Sequence, residues 1–240
     1  MSYSSLHIKE SLKHSFKGFA LAKGFEFLQK DDIFLFKSSI PNPVFNYAYV
    51  EGKLPVWVEK YFGTCPFLVI GEQSDEILQK SLVDFTLEED DVLGMVCELQ
   101  GIEDIPNVEV VCVETPDRLP HLIDVISQGF EVPKSHLADF LTPLFPLKDQ
   151  YFFLAYLDGE PASACLSSIA GDSMFLSFVA TKPNLRRRGA GKSVSLAALL
   201  DARDCGCKIC ALQSSKMAEG VYKSLGFQGV GAYYGMWAKK

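Results

Sequence analysis

The sequence predicts an α/β protein on a mixed sheet (α+β in its mixture of strand directions), and three observations carry that prediction. Apolar runs of strand length alternate with segments of helical periodicity along most of the chain. The pair Asp158-Gly159, a strong tight-turn signal, stands between two strand-like runs. A loop rich in arginine and glycine then joins a strand to an apolar helix.

The elements follow in order. Strands are expected at 33–37 and 44–51, a helix at 54–62, a strand at 66–71, a helix at 75–85 and a strand at 91–99. Gln100 to Asn107, with Gly, Pro, Asn and two acids between strand-like runs, is the expected linker. It divides the chain into residues 1–104 and 105–240. Beyond it a strand at 108–114 precedes helices at 116–129 and 133–145. Strands at 151–157, 161–168 and 174–181 form an antiparallel meander turning at Asp158-Gly159 and Gly171-Asp172. Helices start near Gly189 and Lys216, with a strand at 208–212 between them and a last strand after Phe227. Met217, Val221 and Leu225 are expected on one apolar face of the second of these helices, with Gly226 as its stop.

Composition narrows the function. Of 240 residues 48% are hydrophobic and 22% charged, which supports a core in one large or two small domains. A net charge of -7 opposes long-range attraction to nucleic acid or anionic membrane, so neither is an expected partner. No apolar run approaches the ~18 residues of a span, and the first residues lack the apolar core of a secretory signal; the expected location is the cytoplasm. Seven cysteines, an odd number and mostly in apolar runs, indicate buried thiols of a reducing compartment. Cys205-Gly-Cys207-Lys-Ile-Cys210 has neither a nearby histidine nor a second cysteine pair at zinc spacing, so no metal is expected.

The chemistry lies in Phe178-Val-Ala-Thr-Lys-Pro183-Asn-Leu-Arg186-Arg-Arg-Gly189-Ala-Gly191-Lys-Ser. A loop opening a helix offers unpaired N–H groups and the positive end of the helix dipole, which suits a pyrophosphate. Glycine lets the ligand approach the main chain, and Arg186, Arg187, Arg188 and Lys192 add positive charge. Gly189-Ala-Gly191-Lys192-Ser193 imitates the end of a P-loop, but the first glycine of that motif would fall at Arg186 and no acidic residue follows the next strand to hold magnesium.

Arg186-x-x-Gly189-x-Gly191 resembles the acetyl-CoA motif of the GNAT N-acetyltransferase superfamily, and Ala218-x-x-x-Tyr222-x-x-x-Gly226-Phe227 is similar to that family's signature on the next helix. The match is strong over 174–227 and extends back to Val108. Residues 1–104, with the run Ile40-Pro-Asn-Pro-Val-Phe-Asn46, resemble the degenerate N-terminal half of tandem members, which shapes the substrate cleft. The resemblance implies that acetyl-CoA lies between the fourth and fifth strands of the fold. It places pantetheine on the backbone around Val179, Ala180 and Thr181, and the pyrophosphate on residues Arg186, Arg187, Arg188, Gly189, Ala190, Gly191 and Lys192. It also implies a neutral amine attacking the thioester and Tyr222 returning a proton to the thiolate. Ser215 stands where the family often has Asn, and Thr181 where it commonly has Val.

The expected function is therefore acetyl transfer to a primary amine of a small molecule or peptide, with a non-catalytic CoA-binding protein or a plain interaction domain as the other readings. The negative charge is compatible with cationic acceptors such as polyamines, aminoglycosides or lysine side chains without choosing among them. The residues single out no general base, and a homodimer stays open.

Overall fold

The computed structural model describes residues 3–239, leaving aside the side chains of residues 89–91. The N-terminal part runs α1 (Ser5–Phe19), β1 (Glu26–Lys30), β2 (Ile33–Lys37), β3 (Asn46–Tyr49), α2 (Val56–Phe62), β4 (Leu68–Glu72), α3 (Glu76–Ser81) and the long β5 (Phe85–Glu98). The C-terminal part runs β6 (Val110–Cys112), α4 (Leu119–Phe130), α5 (Lys134–Leu144), β7 (Gln150–Leu157), β8 (Glu160–Ala170), β9 (Ser173–Thr181), α6 (Ala190–Asp204), β10 (Ile209–Ser214), α7 (Glu219–Ser224) and β11 (Gln228–Lys239).

All the described strands join one mixed 11-stranded sheet, in the order β1-β2-β3-β4-β11-β5-β10-β9-β8-β7-β6. Its centre mixes the two parts of the chain. β5, from before the linker, lies between β10 and β11: Cys97 pairs antiparallel with Cys210, and Val96 faces both Ala211 and Gln228. The linker therefore separates segments of sequence that share one backbone hydrogen-bond network.

Alternation along the strands divides the core between the two faces of the sheet. Phe34, Phe36, Val92 and Val96 point to the face covered by α1, α4 and α5, whereas Leu93, Met95 and Cys97 point to the face covered by α6 and α7. Ile33 and Leu35 turn to that second face too, where α2 and α3 pack with Trp237. α1 anchors the N-terminal part to the other: Phe16 and Phe19 reach Phe36, and Phe19 meets Phe140 of α5 edge-on at 5.6 Å.

Some expectations shift. The helix expected at 75–85 stops at Ser81, and the strand expected from 91 already begins at Phe85. The run at 44–51 opens as a 3-10 turn, Pro43–Phe45, because Pro43 fixes its own φ and the Asn42 side chain accepts from the Val44 amide; the strand begins at Asn46. Met217 and Val221 are not core residues: Met217 is 72% exposed, while Tyr222 and Leu225 are each 6% exposed. Helix α7 has only six residues and turns the Ala218/Tyr222 stripe inward, because that stripe meets the sheet at the bottom of the cleft described next.

Candidate active site

β9 and β10 are parallel neighbours for only three residue pairs, from Ser173/Ile209 to Phe175/Ala211. Beyond them the strands part. Leu176 to Thr181 stay paired with β8, and Leu212 to Ser214 stay paired with β5. The divergence has a local cause on β9, where the register with β8 slips between Leu166/Ser177 and Ala164/Ala180 and Phe178 takes a left-handed φ of 51°. A β-bulge bends its strand and re-aims its side chains.

The split opens a cleft of about 410 Å3. Two polar atoms on its opposite strands, Ser177 Oγ and Gln213 Nε2, are buried without a hydrogen-bond partner among the described residues. Buried polar groups rarely go unmatched, so both strands offer hydrogen bonding to something that enters between them. Backbone alternation adds to this. The Lys182 amide donates to Ala162 on β8, so the neighbouring Thr181 turns its backbone to the open side. Ala180 faces β8, its carbonyl accepting the Ser163 hydroxyl at 2.6 Å.

The loop after β9 meets the mouth of the split. Pro183–Leu185 form a 3-10 turn, Arg187 has a φ of 65°, and Gly189, with a φ of 87°, caps α6 without any side-chain cap. After Arg186, whose N–H donates to the Pro183 carbonyl, the next N–H to find a backbone acceptor is that of Ser193, which donates to the Gly189 carbonyl at 3.0 Å. The amides of residues 187–192 have no acceptor among the described residues. Gly191 is needed for close approach, since a Cβ there would lie 3.1 Å from Thr181 Oγ1. The linker props this turn: Ser193 Oγ donates to Asn107 Oδ1, and the Asn107 amide donates back to Ser193 Oγ.

The four cations serve different ends. Arg186 spans the base of the loop, its Nε donating to the Thr181 carbonyl and Nη2 to the Gly129 carbonyl, both at 3.3 Å. Arg188 pairs with Asp158 at 2.6 Å and Lys192 with Asp104 at 3.2 Å, both on the surface. Such exposed pairs are worth ~0–1 kcal/mol, so a phosphate can exchange for the carboxylate. Arg187 forms no ion pair among the described residues and projects from the turn that carries the free amides.

Tyr222 lies on the wall of the cleft with Ala218, 6% exposed and packed edge-on against Phe227 at 5.6 Å. Burial pushes its hydroxyl pKa well above the usual tyrosine range, with the neighbouring Cys165 and Cys210 thiols adding to the rise, so it stays protonated at neutral pH. The remaining walls come from α1, the 42–47 segment, β4 and α4, through Phe16, Phe19, Phe45, Tyr47, Ile70 and Phe130. Phe45 and Tyr47 belong to the run that starts at Ile40 and marks the N-terminal half in the sequence; Phe16, Phe19, Ile70 and Phe130 were not singled out there, nor were Ser177 and Gln213.

Residues 119–227 match the model of the acetyltransferase (GNAT) family. The chain carries a GNAT domain. No curated protein sequence matches it. Among solved structures, the fold resembles that of a GCN5-related N-acetyltransferase from Kribbella flavida, at 16% identity over 100% of this chain and 96% of that one, with a TM-score of 0.72. It also resembles a functionally unknown conserved protein from Staphylococcus epidermidis, at 12% identity over 90% and 94% of the two chains and a TM-score of 0.64. A GCN5-related N-acetyltransferase-like protein from Streptococcus suis aligns over 96% and 98%, at 12% identity and a TM-score of 0.59.

The GNAT domain contains α4, the β9/β10 split, the 186–191 loop and Tyr222, whereas α1 to β5 precede it. Full-length similarity to the Kribbella structure extends the shared fold over the N-terminal part, and the single sheet is consistent with a tandem arrangement.

Proposed function

We propose that this protein transfers an acetyl group from acetyl-CoA to a primary amine. The observation that carries the reading is the alignment of three features along one path: free amides at the head of α6, a parted β9/β10 pair with unmatched polar groups, and a buried, protonated Tyr222.

The residues present fit CoA. Amides of residues 187–192 and the Arg187 side chain would hold the pyrophosphate, and the Thr181 backbone with Ser177 and Gln213 would meet the amides of the pantetheine arm. Bound there, acetyl-CoA supplies a thioester, an acyl group activated toward amines. The chain supplies three things. The cleft surrounds the reacting groups with mostly apolar walls. Gly191 permits close approach of α6 to Thr181 on β9, which holds the main-chain amides of the loop beside the split, where they would align the donor. Tyr222 holds a proton at Oη where a departing thiolate needs one, and its burial keeps that proton in place.

Replacing Tyr222 with Phe tests the assignment. The expected outcome is a loss of at least about tenfold in kcat with CoA affinity unchanged, because only the proton-donating hydroxyl is removed. Unaltered turnover would show that another group donates the proton, and CoA binding without turnover on any amine in the wild-type protein would favour a non-catalytic CoA-binding role.

A further inference from the structure

Resting on that reading, we infer that the acceptor is a primary amine carried on an uncharged, apolar body of aromatic size. Polycationic amines are rejected by the cleft walls. The chain carries a net charge of -7, yet none of the described residues lining the cleft is charged. Acidic residues are abundant on the molecule and missing where a polyamine, aminoglycoside or lysine side chain would have to be held. Burying an ammonium group without a carboxylate partner costs several kcal/mol, and a second cationic centre doubles that cost. The overall negative charge therefore does not choose the acceptor, although it allows amines to approach.

The walls also have a definite character. Phe16 of α1 stacks on Tyr47 at 5.2 Å, and Phe178, at the bulge of β9, lies 5.5 Å from Phe140. Val44, Phe45 and Ile70 close the side contributed by the N-terminal part. Ring faces and branched aliphatics favour a flat or branched apolar group by area burial and offset stacking.

This chemistry also bears on the missing base. No carboxylate or histidine is among the described residues lining the cleft. Desolvation disfavours the charged form of an amine, so an apolar cleft takes up the neutral, nucleophilic form and leaves the proton in water. An acceptor with a single amine on an apolar body can enter in that form, whereas a polyamine would have to shed several protons.

The test measures kcat/KM with acetyl-CoA for 2-phenylethylamine, spermidine, kanamycin and a lysine peptide, and repeats the first amine with octanoyl-CoA. The inference expects 2-phenylethylamine to exceed each cationic acceptor by at least about tenfold, and 2-phenylethanol, the same body without the amine, to inhibit competitively against it. The variant Val44→Glu sets a carboxylate in the wall and should move the ratio of spermidine to 2-phenylethylamine at least about tenfold toward spermidine. A wild-type preference for spermidine, kanamycin or the peptide overturns the inference while leaving acetyl transfer intact. So does a preference for octanoyl-CoA with no discrimination among amines, which would assign the apolar walls to the acyl chain. Absence of transfer to every amine, with CoA bound in calorimetry, removes the proposed function along with it.

Discussion

At the scale of single residues, the proposed transfer needs Tyr222 and Gly191 for opposite reasons, one for a proton and one for the lack of a side chain. Because burial raises the Tyr222 pKa, its proton survives beyond the point at which an exposed tyrosine, with a pKa of about 10, would lose it. A pH profile of kcat should therefore show no alkaline fall below about pH 10; a fall near pH 8 would assign the proton to another group. Gly191→Ala puts a methyl group 3.1 Å from Thr181 Oγ1. The expected result is weaker CoA binding by about tenfold, read by calorimetry, with the melting temperature lowered by only a few degrees. Both residues were legible in the sequence, because glycine and tyrosine stood at fixed separations in two linked motifs. Ser177 and Gln213 were not, because a lone polar residue in a strand looks like ordinary outward alternation until the neighbouring strand is seen to leave.

At the scale of elements, the contact between α4 and β9 sets the shape of the cleft. Gly129 lets them touch, since a Cβ there would come within 2.7 Å of the Ala180 Cβ. Gly129→Ala should cost about 1 to 3 kcal/mol in urea denaturation and loosen the Arg186 bridge to the Gly129 carbonyl. A second tie is the buried Lys182, which pairs with Asp124 on α4 and Glu160 on β8 at 3.2 Å each, while Lys134 also pairs with Asp124. Burial alone would raise the Asp124 pKa, but hydrogen bonds from Lys134, Gln128 and Lys182, with the charge of Lys182, outweigh it and hold the pKa near 2. A carboxylate with a depressed folded-state pKa adds stability above its unfolded value near 3.9, and loses it as pH falls through the folded one. Asp124→Asn should therefore destabilise by roughly 1 to 2 kcal/mol at pH 7, and its deficit should shrink between about pH 4 and pH 2. A deficit independent of pH would mean that packing, not charge, is lost.

The elements were unevenly legible. The meander and both helices after the linker declare themselves by apolar period and by the Asp158-Gly159 turn. Helix α1 went unpredicted although Ile8, Leu12, Phe16 and Phe19 recur at helical spacing, because three serines and six charged or histidine side chains among its residues weaken the apolar stripe. Strand β1 leaves almost no trace: four of its five residues are exposed at the sheet edge, so nothing in its pattern separates it from a loop.

At the scale of the whole molecule, the arrangement of β5 was invisible to pattern reading, since period and propensity are local whereas its partners β10 and β11 lie more than a hundred residues away. The linker at 100–107 is a break in composition but not in the sheet. The fragment 105–240 lacks the strand that covers one edge each of β10 and β11, so it should be insoluble or lack a cooperative transition in circular dichroism. Co-expression with the fragment 1–104 should restore soluble material, and a cooperatively folded, CoA-binding 105–240 alone would refute this account of the sheet.

CoA binding, and with it the proposed transfer, depends on the main-chain groups at the head of α6. Backbone hydrogen exchange of residues 187–192, with and without saturating CoA, addresses them directly, since these amides have no acceptor among the described residues. Slowing of exchange by about tenfold or more on CoA addition, centred on these residues and accompanied by protection along 177–181, is the predicted result. Unchanged exchange at 187–192 while CoA protects some other part of the chain would contradict it.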